Sequence, residues 1–248
     1  MTINAPTCDQ YPQLQNLWQQ AFGDTPEFIQ GFFRTGFAPK RCRCITLDGA
    51  VASALYWFDC DFGGETWAYI YAVATDVAHR GKGLCPQLME DTHRLLRENG
   101  YAGAVLVPAE EHLWRYYGKM GYAPFGGITS TTMSPQGAPA ALQKISPDAY
   151  QVARAPYLPA DALDQSSAYP FYHTWGSFYQ SEGCCFAAAK DENTLYFQEF
   201  FGNEAAIPGI LSALAAEKGH VRLPGNQPCG MYLSFRGKVP CYLGFPLD

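Results

Sequence analysis

The sequence is short of charge, shorter still of basic charge, and has no apolar run that could cross a bilayer. Only 16% of its 248 residues are charged, and 17 Lys and Arg against 23 Asp and Glu leave a formal net charge of −6. The deficit is shared, with 10 basic against 13 acidic residues in 1–128 and 7 against 10 in 129–248. Holding nucleic acid or an anionic membrane requires a basic excess that neutralises phosphate, and neither half has one. An acidic balance mildly favours cationic partners such as amines, although it is also ordinary for soluble proteins. The longest apolar run, Ala50 to Phe58, is interrupted by Ser53 and falls far short of the roughly 20 residues of a membrane helix. The first residues, Met1 to Pro6, carry neither a basic nor an apolar export signal, so the expected location is the reducing cytoplasm.

Metal chemistry is not expected either. The nine cysteines include the adjacent Cys184 and Cys185 and the alternating Cys42 and Cys44, but no CxxC spacing. That pattern fits buried small hydrophobes better than a zinc site or a redox pair. The five histidines, His79, His93, His112, His173 and His220, show no ligand spacing.

What the chain does have is apolar material, 48% of its residues, with 15% aromatic. That is enough for one large core or two small ones, and two domains are expected from the length. Leu14, Leu17, Trp18 and Phe22 recur at helical spacing over 10–22, and Cys42 to Leu47 and Val51 to Phe58 read as strands around Asp48-Gly49. Trp67 to Thr75 reads as a third strand, followed by a helix from about Pro86 to Asn99-Gly100. A short strand at Ala104 to Val107, a helix over Glu111 to Met120 and a strand from Tyr122 complete this half. The Pro, Gly and Ala of 134–140 suggest a linker. Beyond it, strands at 183–190 and 194–201, a helix with Ile207, Ile210, Leu211 and Leu214 on one face, and a strand at 220–223 read as a degenerate repeat.

The segment with chemical content is Val73 to Cys85. It joins a strand to a helix through Arg80-Gly81-Lys82-Gly83. Glycines let the backbone curl closely around an anion, a helix N-terminus presents unpaired N–H groups, and Arg80 and Lys82 add positive charge, an arrangement suited to a diphosphate. Glycines also simply make turns, so the context on both sides decides the reading.

In that context the chain resembles the GNAT superfamily of acyl-CoA-dependent N-acetyltransferases, whose fingerprint is RxxGxG/A between a strand and a helix. Arg80 and Gly83 match it, Cys85 replaces its last Gly or Ala, and Pro86 lacks an N–H. A second family segment, Tyr, three residues, Gly and an aromatic, is matched by Tyr117 to Tyr122; the Asn often found upstream is absent, with Pro108 to Glu111 in its place. The resemblance covers 10–130 and is specific over 73–122. The second half, with Gly202-Asn203-Glu204 where the loop would be, is similar to the second repeat of tandem members that lack the cofactor site.

The resemblance implies an α+β (α/β) fold, a mixed and mostly antiparallel sheet flanked by helices, with a catalytic domain over 1–133 and a degenerate GNAT-like domain over 141–248 that walls the substrate side. It implies acetyl-CoA as cosubstrate, held by Val73, Ala74, Thr75, Arg80, Gly81, Lys82, Gly83, Leu84 and Cys85, with no metal. An amine acceptor would attack the thioester directly, and Tyr117 would protonate the departing sulfur; by composition alone Tyr117 is equally an aromatic core residue beside Trp114 and Tyr116. An ordinary amine is protonated at neutral pH, so a base or water relay is needed. Tyr69 and Tyr71 occupy the strand where relatives often carry Glu; Asp59, Asp61, Glu65 and Glu111 are alternatives more readily read as solvated surface, and a carboxylate at Asp248 is another. The aromatics of 169–175 and 197–201 suggest a cleft wall or, for most of them, a core. The residues leave the acceptor amine and the oligomeric state open. The competing reading is a non-catalytic acyl-CoA-binding sensor, favoured by Cys85, Pro86 and the missing Asn; transfer from aminoacyl-tRNA is disfavoured by the absence of basic surface.

Overall fold

The computed structural model describes residues 1–247 and divides them into two units, each interrupted in sequence: 1–123 with 231–239 and Leu247, and 124–230 with 240–246. Within the described residues no helix is long and apolar enough to cross a membrane.

The first unit is built on strands Thr2–Asn4 (β1), Cys42–Leu47 (β2), Ala50–Phe62 (β3), Glu65–Thr75 (β4) and Gly103–Leu106 (β5). Ala123–Phe125 (β6) and Gly230–Ser234 (β14) complete the seven-stranded sheet, in the order β1-β2-β3-β4-β5-β14-β6. Neighbours from β1 to β4 are antiparallel, β4 and β5 run parallel, and β14 is antiparallel to β5. Helices Tyr11–Phe22 (α1) and Pro26–Thr35 (α2) pack Trp18 and Phe32 against Tyr56 and Tyr71 on one face. On the other face Leu84–Glu98 (α3) buries Leu88, Met89 and Leu96 among Leu55, Trp57, Ala68 and Ile70. The period-2 alternation of β4, with Ala68 and Ile70 facing α3 and Tyr71 facing α1 and α2, is thus dictated by two covered faces. Glu111–Gly118 (α4) follows β5.

Residues 10–22 and both strands around Asp48-Gly49 form as the sequence suggests, and α2 is an element that its pattern did not reveal. Its signal is present, since Thr25 caps the helix by accepting from the Phe28 N–H at 3.3 Å and Pro26 occupies the first helical position. The helix after the glycine loop begins at Leu84, two residues before Pro86.

The second unit carries Ile128–Met133 (β7), Gln143–Ile145 (β8), Ser177–Ser181 (β10), Cys184–Asp191 (β11), Thr194–Gly202 (β12) and Lys218–Pro224 (β13) in a sheet of order β7-β13-β12-β11-β10-β8. A two-stranded pair, Ala162–Leu163 (β9) and Tyr242–Leu243 (β15), lies outside it. The helices are Pro147–Arg154 (α5), Tyr169–Tyr172 (α6) and Ile207–Ala213 (α7). β11, β12, α7 and β13 repeat the succession β3, β4, α3 and β5, including the parallel pairing of the last two strands. The repeat read from the sequence is therefore a repeat of structure, and the fold is two mixed α/β halves.

The expected division into 1–133 and 141–248 differs from the one formed. β7, expected to close the first half, hydrogen-bonds to β13 of the second, and β14, from the far end of the chain, hydrogen-bonds to β5 of the first. Each half thus takes its sixth strand from across the boundary, a pairing that local pattern cannot encode. The expected burial of cysteines holds for Cys42, Cys44, Cys60, Cys184, Cys185 and Cys229, whereas Cys8 and Cys241 are exposed.

One core histidine makes the first unit acid-sensitive. The His93 ring nitrogen Nε2 lies 2.8 Å from the Tyr122 hydroxyl, and burial, with the Arg97 charge adding to it, lowers its pKa to about 4. The unfolded chain takes up this proton near the ordinary value of about 6.5 and the folded chain near 4, so stability is lost as pH falls through that window, by up to about 3 kcal/mol. Urea unfolding of wild type and His93→Gln at pH 7 and pH 4.5 checks this. The wild type should lose more stability than the variant on acidification; equal losses would refute the assignment.

Candidate active site

The parallel pairing of β4 and β5 is brief. Trp67, Ala68 and Tyr69 pair with Gly103, Ala104 and Val105, after which β4 continues to Thr75 without a strand partner on that side among the described residues. β4 also carries a bulge against β3. Tyr71 pairs with Tyr56 and Ala74 with Ala54, so Ala72 and Val73 together face Leu55, and Ala72 adopts φ +48°. A left-handed alanine costs about 1–2 kcal/mol. Its effect is to shift the parity of the strand: Val73 joins the cluster packed on α3, where unbroken alternation would have placed Ala72. Between the separated strands lies a cavity of about 310 Å³, lined by Ile70 to Val73 from β4, by Leu106 at the end of β5 and by Val107 beyond it.

At the end of β4 the chain turns through Asp76, whose carboxylate accepts from the Ala78 N–H at 2.8 Å. Arg80 Nε donates to the Thr75 carbonyl at 3.1 Å, tying the loop to the strand. Gly81 and Gly83 both sit at φ +75°, and a Cβ on Gly81 would meet nothing within 4 Å. These two left-handed residues curl the backbone, and the N–H groups of Leu84 and Cys85 in the first turn of α3 have no intrahelical acceptor. Pro86 contributes none. The result is an open, concave row of donors with the positive end of a 15-residue helix behind it, as an anionic group requires. A second cavity of about 470 Å³ runs along this row.

Tyr117, on α4, lines both cavities and is 8% exposed. Its ring packs on Tyr116 and Tyr122 at centroid distances of 5.4 and 6.0 Å. Burial, and secondarily the neighbouring Cys85 and Tyr116, raise its pKa above the ordinary tyrosine value, so it holds its proton at neutral pH. A protonated hydroxyl at the junction of an anion cradle and a strand notch can donate to a negative charge that develops there.

The acetyltransferase (GNAT) domain family matches residues 2–125, which is half of the chain. The chain belongs to the GNAT acetyltransferases. Among solved structures, a GCN5-related N-acetyltransferase from Kribbella flavida matches with a TM-score of 0.69 at 15% identity, over 95% of this chain and 71% of that one. A GCN5-related N-acetyltransferase from Anabaena variabilis gives 0.69 at 17% identity, over 93% and 72%. A putative acetyltransferase from Pyrococcus horikoshii gives 0.68 at 12% identity, over 99% and 94%. These likenesses span both halves and concern the fold. No curated protein matches the sequence.

In this GNAT chain Val73, Ala74, Thr75, Arg80, Gly81, Gly83, Leu84, Cys85 and Tyr117 all line the loop-side cavity. Lys82 does not. Its ammonium turns back to donate to the Ala78 carbonyl at 2.9 Å and lies 3.4 Å from His79 Nδ1. His79 and His112 line the same cavity. Burial raises the Cys85 thiol pKa, so this cysteine is a neutral wall.

The carboxylates considered as bases lie elsewhere. Glu65 pairs with Arg236 and Lys238, Asp59 pairs with Arg41 and accepts from Tyr101, Asp61 accepts from the Gly64 N–H, and Glu111 is exposed. None of them lines either cavity. Asp248 lies outside the described residues. Tyr71 lines the notch, whereas the buried Tyr69 hydroxyl exchanges hydrogen bonds with the Leu247 backbone at 2.7 and 3.1 Å. The aromatics of 169–175 and 197–201 line neither cavity; Tyr169, Phe171, Tyr172, Phe197, Phe200 and Phe201 are buried in the second unit. Trp18, Phe22, Asp24 and Phe28, which do line the notch cavity, were not read as site residues. Trp18 and Phe22 sit on α1, Asp24 on the turn and Phe28 in the first turn of α2, and the four come together only with α2 in place. In the second unit β12 ends at Gly202 and Asn203 to Ala206 lead straight into α7 at Ile207, so the connection is short and holds no glycine after Gly202.

Proposed function

We propose that this chain is an acetyl-CoA-dependent N-acetyltransferase that moves the acetyl group to an amine by direct attack. The observation that carries the reading is the junction at Tyr117 of a diphosphate-shaped cradle with a notch between diverging strands. Acetyl-CoA supplies an electrophilic acyl carbon and a thiolate leaving group. The amides of Gly81, Gly83, Leu84 and Cys85, with the unused ends of the Arg80 guanidinium, would hold its diphosphate. The backbone of Val73, Ala74 and Thr75 would hold the pantetheine arm and the acyl carbonyl, an amide N–H of the bulge stabilising the oxygen as it gains charge. The carbon–nitrogen bond forms, the carbon–sulfur bond breaks, one proton ends on sulfur, and the ammonium's other lost proton passes to solvent. Tyr117 donates its hydrogen bond to the sulfur. The second half, without a cradle, is taken as a degenerate GNAT-like domain.

Calorimetric titration tests the reading. Acetyl-CoA should bind the wild type, and Gly83→Ala, forced to hold a side chain at φ +75°, should bind it about tenfold more weakly. No heat from acetyl-CoA or CoA at roughly 1 mM would defeat the proposal. The second reading, an acyl-CoA sensor without catalysis, is favoured by the donor lost at Pro86. Release of free thiol across an amine panel excludes it.

A further inference from the structure

The notch cavity has a chemistry of its own. Apart from its β4 wall, the β5 end and Tyr117, its lining includes Trp18, Phe22, Phe28, Leu113 and Leu247, and among the described residues Asp24 is its one charged side chain, with no Lys, Arg or His. Asp24 lies between α1, which ends at left-handed Gly23, and the Thr25 cap of α2, so two helix ends fix its backbone. Its Oδ2 accepts from the indole Nε1 of Trp18 at 2.7 Å, a charge-assisted bond to a ring that is 2% exposed. Oδ1 has no partner among the described residues. A carboxylate oriented by a buried indole, with one oxygen free beside aromatic rings, suits a single cation: the carboxylate neutralises it and the ring faces attract it.

Resting on the N-acetyltransferase reading, we propose that this cavity takes a small primary amine with an apolar aryl or alkyl body and no carboxylate, its ammonium held by Asp24. A carboxylate on the ligand would meet Asp24 and no cation, and further ammoniums no second anion, among the described residues of the lining. The cavity, about 310 Å³, sits at the small end of ligand sites, which run about 300–1,000 Å³. Asp24 is thereby a binding and specificity residue that recognises the acceptor before its proton is lost.

The test is calorimetry on the full chain with 2-phenylethylamine, phenylalanine and spermidine, followed by thiol release with acetyl-CoA. The amine should bind, phenylalanine about a hundredfold more weakly and spermidine about tenfold more weakly, because an uncompensated charge enters the cavity. Asp24→Asn keeps an oxygen for the Trp18 indole. It should weaken 2-phenylethylamine binding at least about tenfold, the scale of a hydrogen bond to a charged group, and leave acetyl-CoA binding unchanged. Phenylalanine or spermidine binding as tightly as 2-phenylethylamine, an Asp24→Asn variant that binds it normally, or no binding of it at all would overturn the assignment. If it binds through Asp24 and acetyl-CoA does not bind, the N-acetyltransferase reading falls and the amine site stands. If acetyl-CoA binds and only phenylalanine, spermidine or a lysyl peptide is acetylated, the reverse holds.

Discussion

Replacing Tyr117 by phenylalanine should lower kcat about a hundredfold or more, the range for loss of a positioned proton donor, while the KM for acetyl-CoA stays within about threefold. The ring is held by Tyr116 and Tyr122 and is 8% exposed, so the variant loses an oxygen and keeps its packing. The raised pKa of Tyr117 refines what the oxygen does. A thiol of ordinary pKa, about 8.5, is a stronger acid than this phenol, so complete transfer of the phenolic proton to a thiolate is uphill. The hydroxyl therefore works chiefly as a hydrogen-bond donor that stabilises the departing sulfur, and the proton that finally rests there comes from the ammonium. Two measurements follow from one variant. Steady-state kinetics should show the fall in kcat, and the wild-type pH profile should show no loss of activity from Tyr117 ionisation below the ordinary tyrosine pKa of about 10. A phenylalanine variant that retains kcat within about threefold would remove Tyr117 from the chemistry and leave it as a wall of the cavity.

Much of the loop that leads to Tyr117 was legible in the sequence because its signals are local. Gly81 and Gly83 are the residues that left-handed φ values demand, Trp67 to Thr75 alternates as a strand between two covered faces, and Leu88 and Leu96 mark the face of α3. Lys82 is not aimed into the cavity, for an instructive reason. A basic residue beside two glycines looks aimed at a phosphate, but its flexible stem lets the ammonium reach the Ala78 carbonyl within the same loop. The notch was not legible. It depends on the bulge at Ala72, and alanine gives no sign that it will take φ +48°. Nor was the exchange of strands β7 and β14, since each is a short, alternating segment that either sheet could accept by pattern alone. Asp24 was invisible because a lone aspartate after Gly23 reads as turn chemistry; its meaning comes from Trp18, six residues away and one helix turn inside the core.

The other large effect is on stability, and it lies in the second unit. Arg154, at the end of α5, is 1% exposed and pairs with the equally buried Glu199 of β12 through Nε at 2.8 Å and Nη2 at 2.6 Å. Tyr150 donates to the same carboxylate at 2.7 Å, and the Tyr242 hydroxyl lies 3.4 Å from it. A Cβ on Gly244 would sit 1.8 Å from Glu199 Oε1, so the backbone of 240–246 closes over the pair with no room to spare. Arg154→Met removes the cation and leaves the anion where water cannot reach it. The expected loss is about 3–5 kcal/mol, enough to unfold this unit at a denaturant concentration that the wild type survives. The double variant Arg154→Met with Glu199→Gln removes both charges, and its amide can still accept from Tyr150. It should recover most of the loss, because the penalty belongs to the unpaired charge and the pair itself repays little beyond its own desolvation. Urea unfolding of the three proteins decides between this account and a packing account. If the double variant is as unstable as the single one, the volume and the Tyr169 and Phe201 rings over which the guanidinium lies, at 5.8 and 5.9 Å, are what hold α5 to the sheet.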